Sequence, residues 1–316
     1  MSQDLCKVAV TSRSFSKHEG LCKELLKRYP ETDFNDSGES LSGQRLVEFL
    51  SGHNKAITAL ETLDEPILKQ LPELKVISKY GVGLDMLDLN AMSSLGKKLG
   101  WTSGVNRRSV SELVISFMIA SLRHLPYCQK EILAGRYRQI QGRELTGRTV
   151  GIIGCGNIGK DLVEMLKPFN CTILVNDIVD YTEFYQKHKI LAVSKEELLS
   201  KAELVTLHVP LDDSTRRMIG KEELKLMKPE SVLINTARGN LVDEKALLEE
   251  LKAGQPGAAA FDVLAQEPPE DFELINHDNF LISPHIGGST EEAIWAMGMA
   301  AIAGLDTARD ALMYAH

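Results

Sequence analysis

Three ionisable side chains in the second half of the sequence have the chemistry to move a proton and hold an anion. Arg238, Glu267 and His285 each follow a short apolar run typical of a β-strand, in the stretches NTARGNLVD, FDVLAQEPP and SPHIGG. Ligands of open α/β sheets bind beside the carboxyl ends of the strands, which is where these residues are expected. Imidazole titrates near neutral pH, a carboxylate stabilises its protonated form, and a guanidinium holds a carboxylate through two hydrogen bonds.

Each of the three residues also has a simpler explanation when it is taken alone. An arginine after a strand is usually a surface cation, and a glutamate before Pro268 and Pro269 is usually part of a solvated turn. A single histidine is more often structural than catalytic. The order and spacing of the three, downstream of a cofactor motif, favour the functional interpretation.

The cofactor motif is the segment GIIGCGNIG, which ends in a G-x-G-x-x-G pattern at Gly154, Gly156 and Gly159. The pattern alone is weak evidence, but a β-rich run precedes it and an amphipathic segment follows it. Gly154 suits a tight turn, Gly156 lets the backbone approach a pyrophosphate, and Gly159 permits close packing of helix and strand. The phosphates are then expected at the amides that begin the helix, at Asn157 and Ile158.

A ribose-binding carboxylate is expected about 20 residues after such a motif. Asp177 lies 18 residues after Gly159, at the end of the apolar run TILVND. Its charge repels a 2′-phosphate and no lysine or arginine follows at once, so the sequence predicts NAD as the cofactor rather than NADP. The alternative is that Asp177 simply ends a strand, and Asp180 is expected in a solvated loop.

The elements that must position these residues alternate between strand and helix patterns, which indicates α/β domains. We predict a Rossmann-type doubly wound parallel sheet for the NAD domain and a smaller flavodoxin-like α/β unit for the substrate domain. The predicted strands begin at Lys7, Ala56, Leu74, Thr149, Thr172, Leu204, Ser231, Ala258 and Phe280. The predicted boundaries are 1–103, completed by a C-terminal helix over 290–316, for the substrate domain and 104–289 for the NAD domain.

The composition fits a cytoplasmic enzyme. Of the 316 residues, 43% are hydrophobic and 25% are charged, and the formal net charge is −8, which gives no reason to bind nucleic acid or an anionic membrane. The five cysteines include no CxxC pair, so we expect reduced thiols and neither a disulfide framework nor a metal cluster. We also expect no secretion signal and no transmembrane segment.

One segment, SVSELVISFMIASLRHL over 109–125, predicts a helix that is apolar on most of its faces and must therefore be buried. It is expected either inside its domain or at a contact between subunits. We favour a homodimer interface.

Long motifs spread over nearly the whole chain resemble the D-isomer-specific 2-hydroxyacid dehydrogenase family, which includes D-3-phosphoglycerate dehydrogenases. These motifs are KYGVGLDMLD, GCGNIG, LHVPLDDST, NTARGNLVDEKAL, FDVLAQEPP and SPHIGGST. The resemblance implies an NAD-dependent oxidoreductase that transfers hydride between nicotinamide and a D-2-hydroxy acid or 2-keto acid. It implies that His285 is the acid–base residue, that Glu267 is its partner, and that Arg238 binds the substrate carboxylate.

The resemblance also implies a wider set of binding residues. Main-chain amides and the Lys79 side chain are expected around the substrate. The implied substrate-binding segment is Lys79, Tyr80, Gly81, Val82 and Gly83. The implied cofactor contacts are His208, Pro210, Thr215, Ala237, Asp262, Gly287 and Gly288. His208 has the alternative of being a packed core histidine.

The sequence departs from the phosphoglycerate dehydrogenase pattern at Lys79, where those enzymes typically carry arginine. Lysine offers a point charge without the planar fork, so 3-phosphoglycerate, hydroxypyruvate and glyoxylate all stay open as substrates. Several of those enzymes add a C-terminal regulatory domain, which is not expected here. Arg107 and Arg108 reach either an anionic substrate or solvent, and we favour solvent for at least one.

Two functions of other classes compete with the dehydrogenase. A non-catalytic NAD-sensing regulator of the same fold would keep a similar trio, but the long disordered flanks that carry partner motifs are not apparent in this sequence. A methyltransferase would use the glycine motif for S-adenosylmethionine and leave Arg238, Glu267 and His285 without a role.

Overall fold

A computed structural model describes residues 6–314 of the chain. The chain divides into two compact units. Unit 1 holds the residues up to Asn106 together with those from Glu291 onward, and unit 2 is Arg107–Thr290. The divisions therefore fall after residues 106 and 290, compared with the expected 103 and 289. The assignment of substrate to unit 1 and cofactor to unit 2 stays a prediction.

Short strands and helices alternate along the described residues. The strands are β1 Val8–Val10, β2 Thr32–Phe34, β3 Lys55–Thr58, β4 Val76–Lys79, β5 Lys98–Gly100, β6 Thr149–Ile153, β7 Thr172–Asn176, β8 Leu191–Ala192, β9 Leu204–Leu207, β10 Val232–Asn235, β11 Ala258–Phe261, β12 Phe280–Ile282 and β13 Arg309–Asp310. The helices are α1 Arg13–Ser16, α2 Glu19–Arg28, α3 Gly43–Leu50, α4 Glu65–Lys69, α5 Leu89–Ser94, α6 Arg107–Leu122, α7 Leu125–Leu133, α8 Asn157–Leu166, α9 Thr182–His188, α10 Lys195–Lys201, α11 Lys221–Leu226, α12 Glu244–Ala253 and α13 Glu291–Thr307.

Unit 1 contains a sheet in the order β13-β5-β4-β3-β1-β2. Strands β1 to β5 are parallel and run in the flavodoxin-like order 2-1-3-4-5. Helix α13 packs on this sheet, where the Ser78 hydroxyl donates to the Ala301 carbonyl at 2.6 Å. The smaller α/β unit predicted from the sequence is therefore confirmed, and it is completed by the C-terminal helix.

The chain end differs from the predicted helix over 290–316. Helix α13 stops at Thr307, and Arg309 and Asp310 instead form β13, which pairs antiparallel with β5. An edge strand presents unpaired backbone groups, and those of β5 are covered by this short segment. Residues 315–316 of the predicted helix lie outside the described residues.

The apolar helix predicted over 109–125 is likewise divided. Helix α6 ends at Leu122, and α7 begins at Leu125 with Pro126 in its first turn. Proline lacks the amide that a continuing helix needs, so it starts a new helix here. Val114 and Met118 of α6 are fully buried, as its apolar faces require.

Unit 2 contains a seven-stranded parallel sheet in the order β12-β11-β10-β9-β6-β7-β8. Numbered within the unit, this is the 3-2-1-4-5-6 order of a Rossmann fold with one further strand. Alternate residues of β6 enter hydrophobic clusters on opposite faces, with Ile152 in one and Ile153 in the other. The Rossmann prediction is confirmed, and the carboxyl ends of β10, β11 and β12 lie side by side.

Among residues 6–314, none of the helices combines the length and hydrophobicity needed to span a bilayer.

Candidate active site

An imidazole and a carboxylate are paired after strands β11 and β12 of unit 2. Nδ1 of His285 lies 2.7 Å from Oε2 of Glu267. The other carboxylate oxygen of Glu267 accepts a hydrogen bond of 2.9 Å from the backbone N–H of Leu264. Both oxygens are thus engaged, and the side chain of His285 keeps 49% of its surface exposed. The second ring nitrogen, Nε2, is the one available to exchange a proton with a substrate.

The pKa values of His285 and Glu267 are shifted in opposite directions, as acid–base chemistry by this pair requires. The hydrogen bond to Glu267 raises the pKa of His285 above its usual range against the effect of burial, and the charges of Glu267 and Asp262 add to the rise. Burial alone would raise the pKa of Glu267, but the hydrogen bonds from His285 and Leu264 keep it below its usual range. The pair therefore holds a carboxylate beside a stabilised imidazolium.

The backbone of His285 adopts a left-handed conformation, with φ of 55°. Such a conformation costs a β-carbon-bearing residue about 1–3 kcal/mol and persists only where neighbours enforce it. Asp262, only 1% exposed, supplies that restraint. Its carbonyl accepts the His285 N–H at 2.9 Å, and its carboxylate accepts the N–H groups of Ile286 at 2.8 Å and Gly287 at 2.7 Å. The hydroxyl of Ser283 donates to the same carboxylate.

Arg238 is presented by a turn that a buried amide holds. The side chain of Asn235, at the end of β10, donates to the Arg238 carbonyl at 2.8 Å and accepts from the Ala237 N–H at 3.0 Å. The next residue, Gly239, packs directly on the backbone of the turn after β11, since a β-carbon there would lie 1.9 Å from the carbonyl carbon of Leu264. Only glycine permits this approach, which brings the Arg238 turn beside the Glu267 turn.

The predicted trio is brought together by these turns. The positive charge of Arg238 lowers the pKa of both Glu267 and His285, which places the guanidinium within electrostatic range of the pair. An Nη atom of Arg238 donates to the Ala237 carbonyl at 2.7 Å. An acid–base imidazole beside an anion-binding guanidinium can bind a carboxylate and protonate a neighbouring oxygen.

The glycine turn has the geometry of a dinucleotide site. Gly154 has φ of 96°, and a β-carbon on Gly159 would lie 2.3 Å from the Gly154 carbonyl oxygen, so both positions need glycine. A β-carbon on Gly156 would meet nothing within 4 Å. No side chain caps helix α8, so the backbone amides of its first residues, Asn157 and Ile158, have no partner within the helix. The residues present therefore fit a bound pyrophosphate.

Asp177 is oriented beside this turn. One carboxylate oxygen accepts the backbone N–H of Cys155, and the other accepts that of Val179 at 2.8 Å. Lys160, in the first turn of α8, lies over the ring of Tyr181 with its ammonium 3.3 Å from the centroid. The carboxylate is thus fixed at the end of β7, and its contact with a ribose stays a prediction.

His208 lies against the glycine turn through its backbone, since a β-carbon on Gly154 would fall 2.7 Å from the His208 carbonyl carbon. Its Nε2 is 3.0 Å from the Thr206 hydroxyl, and burial lowers its pKa to about 3, so the ring is neutral at pH 7. The Thr215 hydroxyl donates to the Pro210 carbonyl at 2.8 Å, which closes one turn around both residues. The contact of His208 with the cofactor stays a prediction.

The remaining predicted cofactor residues lie in the turns that hold the trio. Ala237 precedes Arg238 and is 9% exposed. Gly287 donates to Asp262 and accepts a hydrogen bond of 2.6 Å from the Ser109 hydroxyl, and Gly288 follows it in the same turn. Gly287 and Asp262 therefore belong to the hydrogen-bond network around His285, and the contact of these four residues with a cofactor stays a prediction.

The predicted substrate segment 79–83 follows β4 in unit 1. Lys79 is 5% exposed, and its ammonium donates to the Ala59 carbonyl. Tyr80 packs edge-on against Phe15 with ring centroids 5.4 Å apart. Gly81 has φ of 126°, and the Val82 carbonyl accepts from the Trp101 indole at 3.1 Å, so the segment up to Gly83 is anchored at several points.

The two arginines that begin α6 lie close to a carboxylate of α8. Arg108 donates to Asp161 at 2.9 Å, while Nε of Arg107 lies 4.0 Å from the same oxygen. Both arginine side chains are more than half exposed. Their charge is thus directed to an ion pair within unit 2, which supports a structural explanation for Arg108.

Sequence reasoning missed the residues that orient the trio. Asn235 and Ser283 are polar residues at the ends of apolar strands, and Glu244 follows the Arg238 turn. A polar residue that ends a buried strand must find hydrogen-bond partners, which is a signal that could have identified Asn235. The partners themselves come from other strand ends and could not be identified without the fold.

Comparison with known proteins agrees with this geometry. Residues 115–287 match the family model described as "D-isomer specific 2-hydroxyacid dehydrogenase, NAD binding domain". The chain belongs to the D-isomer specific 2-hydroxyacid dehydrogenase family. The matched region is the NAD-binding domain of that family, which confirms the prediction of NAD as the cofactor.

The curated relatives of this chain are named as several different enzymes. A D-3-phosphoglycerate dehydrogenase of Methanocaldococcus jannaschii is 35% identical over 88% of this chain and 54% of its own length. A glyoxylate reductase of Pyrococcus furiosus is 32% identical over 86% of this chain and 84% of its own length. The chain spans about half the length of the D-3-phosphoglycerate dehydrogenases that it matches.

Solved structures of the D-isomer specific 2-hydroxyacid dehydrogenase family have the same fold. A protein from Polaromonas sp. JS6 66, described as a D-isomer specific 2-hydroxyacid dehydrogenase, superposes with a TM-score of 0.87 at 25% identity, over 96% of each chain. The similarity covers both units of the present chain.

Proposed function

We propose that this protein is an NAD-dependent oxidoreductase that interconverts a D-2-hydroxy acid and the corresponding 2-keto acid. The observation that carries the proposal is the 2.7 Å contact between His285 and Glu267, with the charge of Arg238 close enough to influence both. These groups follow the carboxyl ends of β10, β11 and β12, the edge of the sheet at which dinucleotides bind in Rossmann folds.

Each charged group of the trio has a separate task in the proposed reaction. Bound NADH supplies the hydride that reduces the keto carbon. His285, held as imidazolium by Glu267, donates its Nε2 proton to the oxygen of that carbon and takes a proton back in the oxidative direction. Arg238 holds the substrate carboxylate through two hydrogen bonds and stabilises the negative charge that develops on the reacting oxygen.

The substrate class we favour is a small unphosphorylated 2-keto acid such as glyoxylate or hydroxypyruvate. Relatives from Pyrococcus furiosus and Thermotoga maritima are named glyoxylate reductase and hydroxypyruvate reductase. Lys79 supports this preference, since its ammonium is buried against the Ala59 carbonyl. A buried, point-like cation suits a phosphate less well than an exposed arginine fork.

The test is NADH oxidation measured against a panel of 2-keto acids that includes glyoxylate, hydroxypyruvate, pyruvate and 3-phosphohydroxypyruvate. We expect turnover of at least one unphosphorylated acid. His285→Ala should lower kcat about 10³-fold and retain NADH affinity, because the imidazole acts mainly in the transition state.

His277→Ala is the matched control, since His277 precedes β12 and so lies at the opposite end of the same strand. It should keep wild-type turnover. The proposed function would be rejected if no 2-keto acid of the panel were turned over, or if His285→Ala left kcat unchanged.

We also propose that the protein acts in the cytoplasm as a homodimer. All five cysteines are free thiols, as suits a reducing compartment. Large apolar side chains of and near α7 are exposed, including Leu125 at 52%, Leu133 at 81% and Tyr137 at 88%. A second copy would cover such a surface. Analytical ultracentrifugation should give twice the 35 kDa chain mass, and a monomer at micromolar concentration would contradict the dimer.

A further inference from the structure

One carboxylate beside the trio has no role in the chemistry described above. Glu244 is the first residue of α12, and it is partly buried. The helix does not need it as a cap, because the Asp243 side chain already accepts the N–H groups of Lys245 and Ala246. A glutamate in a first helical turn is normally solvated, so its partial burial requires a partner elsewhere.

That partner is the turn that carries Glu267. Oε1 of Glu244 accepts the backbone N–H of Ala265 at 2.6 Å. The preceding amide, that of Leu264, is the one that holds Oε1 of Glu267. Two successive amides of this turn thus bind two carboxylates, one from α12 and one from the catalytic pair.

The same turn is restrained on its other side by Gly239. The backbone of Leu264 and Ala265 lies against this glycine, where a β-carbon would approach within 2.2 Å of the Ala265 nitrogen. A turn held between α12 and the Arg238 turn has little freedom, so a change in either contact displaces Glu267. A displacement of a few tenths of an ångström is enough to weaken a 2.7 Å charge-assisted hydrogen bond.

We propose, given the acid–base role assigned above to His285, that Glu244 is a positioning residue whose carboxylate holds the 264–267 turn so that Glu267 meets His285 at Nδ1. Glu244 acts through the hydrogen bond to Ala265 rather than by contact with substrate or cofactor.

The surroundings of Glu244 disfavour its ionised form. Burial raises the pKa of Glu244, and the neighbouring carboxylates of Asp243 and Glu267 raise it further, while the Ala265 N–H opposes the rise. Glu244 and Glu267 are therefore close enough for their negative charges to repel each other. The backbone hydrogen bond is the favourable contact that keeps Glu244 there.

The experiment compares variants by the titration of His285, followed by NMR of its ring protons in the full-length protein. Glu244→Met keeps the length of the side chain and removes the acceptor. We expect the His285 pKa to fall by about one unit, a tenfold loss of proton affinity, because the imidazolium loses the well-placed Glu267. We expect kcat for keto acid reduction to fall about tenfold while KM for NADH changes less than twofold.

Glu244→Gln is the rescue variant, since its amide oxygen can still accept the Ala265 N–H. It should restore both the His285 titration and kcat. Glu249→Ala is the matched control, because Glu249 lies on the same helix and binds Lys221 at the surface. A purely structural role for Glu244 would lower the melting temperature of the Met variant and leave the His285 titration unchanged.

An unchanged His285 titration in Glu244→Met, or an equal shift in Glu244→Gln, would overturn the positioning role. Should the Met variant fail to fold, Glu244→Asp replaces it, since the shorter side chain cannot reach Ala265, and the same downward shift is expected. An unshifted titration in that variant also overturns the role. The NMR measurement needs no turnover. If no keto acid were reduced, the proposed function would be refuted, and the His285 titration would still decide the role of Glu244.

Discussion

Arg238 in unit 2 and Lys79 in unit 1 are both cations of predicted site segments, but their surroundings differ. The charge of Arg238 acts on Glu267 and His285, whose pKa values it lowers. The ammonium of Lys79 is buried and donates to a main-chain carbonyl. The cation of unit 2 therefore acts on an acid–base pair, whereas the cation of the 79–83 segment is engaged with the main chain of unit 1.

The two regions are also held in place by different forces. Buried polar side chains hold the turns of unit 2, with Asn235 fixing the Arg238 turn and Asp262 fixing the His285 turn. Aromatic packing holds the unit 1 segment, through Tyr80 against Phe15 and through Trp101. Directional hydrogen bonds set an imidazole to within tenths of an ångström, and aromatic contacts are sufficient where only a surface is required.

The largest effect within this comparison is expected from Arg238→Lys. Lysine keeps the charge and loses the planar fork, so both substrate binding and transition-state stabilisation should suffer. We expect kcat/KM for the keto acid to fall about 100-fold, measured by steady-state NADH oxidation. The control is Arg138→Lys at an exposed position of unit 2. Wild-type kcat/KM in Arg238→Lys would mean that a point charge suffices.

A smaller effect, and one with a distinctive pH dependence, is expected from Glu267→Gln. The hydrogen bond to Glu267 raises the His285 pKa above 6.5, so imidazolium persists above that pH and keto acid reduction declines only as pH rises through the raised value. Loss of the carboxylate charge lowers the His285 pKa, so the decline should move to lower pH by about one unit. At pH 7.5 we expect kcat/KM about tenfold below wild type.

Profiles of kcat/KM against pH for the two proteins give the measurement. Glu270→Gln, an exposed glutamate three residues further along, should keep the wild-type profile. A Glu267→Gln profile that superposes on the wild type would show that the carboxylate does not tune His285.

The smallest effect is expected from Lys79→Met. Removal of the ammonium leaves the Ala59 carbonyl without this donor, at a cost of about 1–3 kcal/mol in unfolding free energy. We expect KM for the keto acid to rise a few fold and kcat to stay within twofold, measured by initial rates beside a thermal melt. A fall in kcat of tenfold or more with unchanged KM would break the distinction between the two regions.

Much of the fold was predictable because parallel strands buried on both faces appear as short apolar runs. The six strands predicted in the NAD domain are all present, and the glycine motif runs from the end of β6 into the first turn of α8. Strands β2, β5 and β8 escaped prediction because they are short and each carries exposed residues, so none of them forms a clear apolar run. The last residues of the chain were predicted as helix because the edge of β5, to which they pair, is not visible in local sequence.

The sequence by itself determined which groups are available for chemistry and that each follows a strand, since residue type and hydrophobic pattern are local properties. The tertiary structure alone decided which of them meet. Glu267 and His285 are 18 positions apart, and their contact exists because β11 and β12 are neighbours. It also decided that Glu244 adjoins the Glu267 turn and that Lys79 faces a carbonyl, because such pairings depend on the packing of distant segments rather than on the residues themselves.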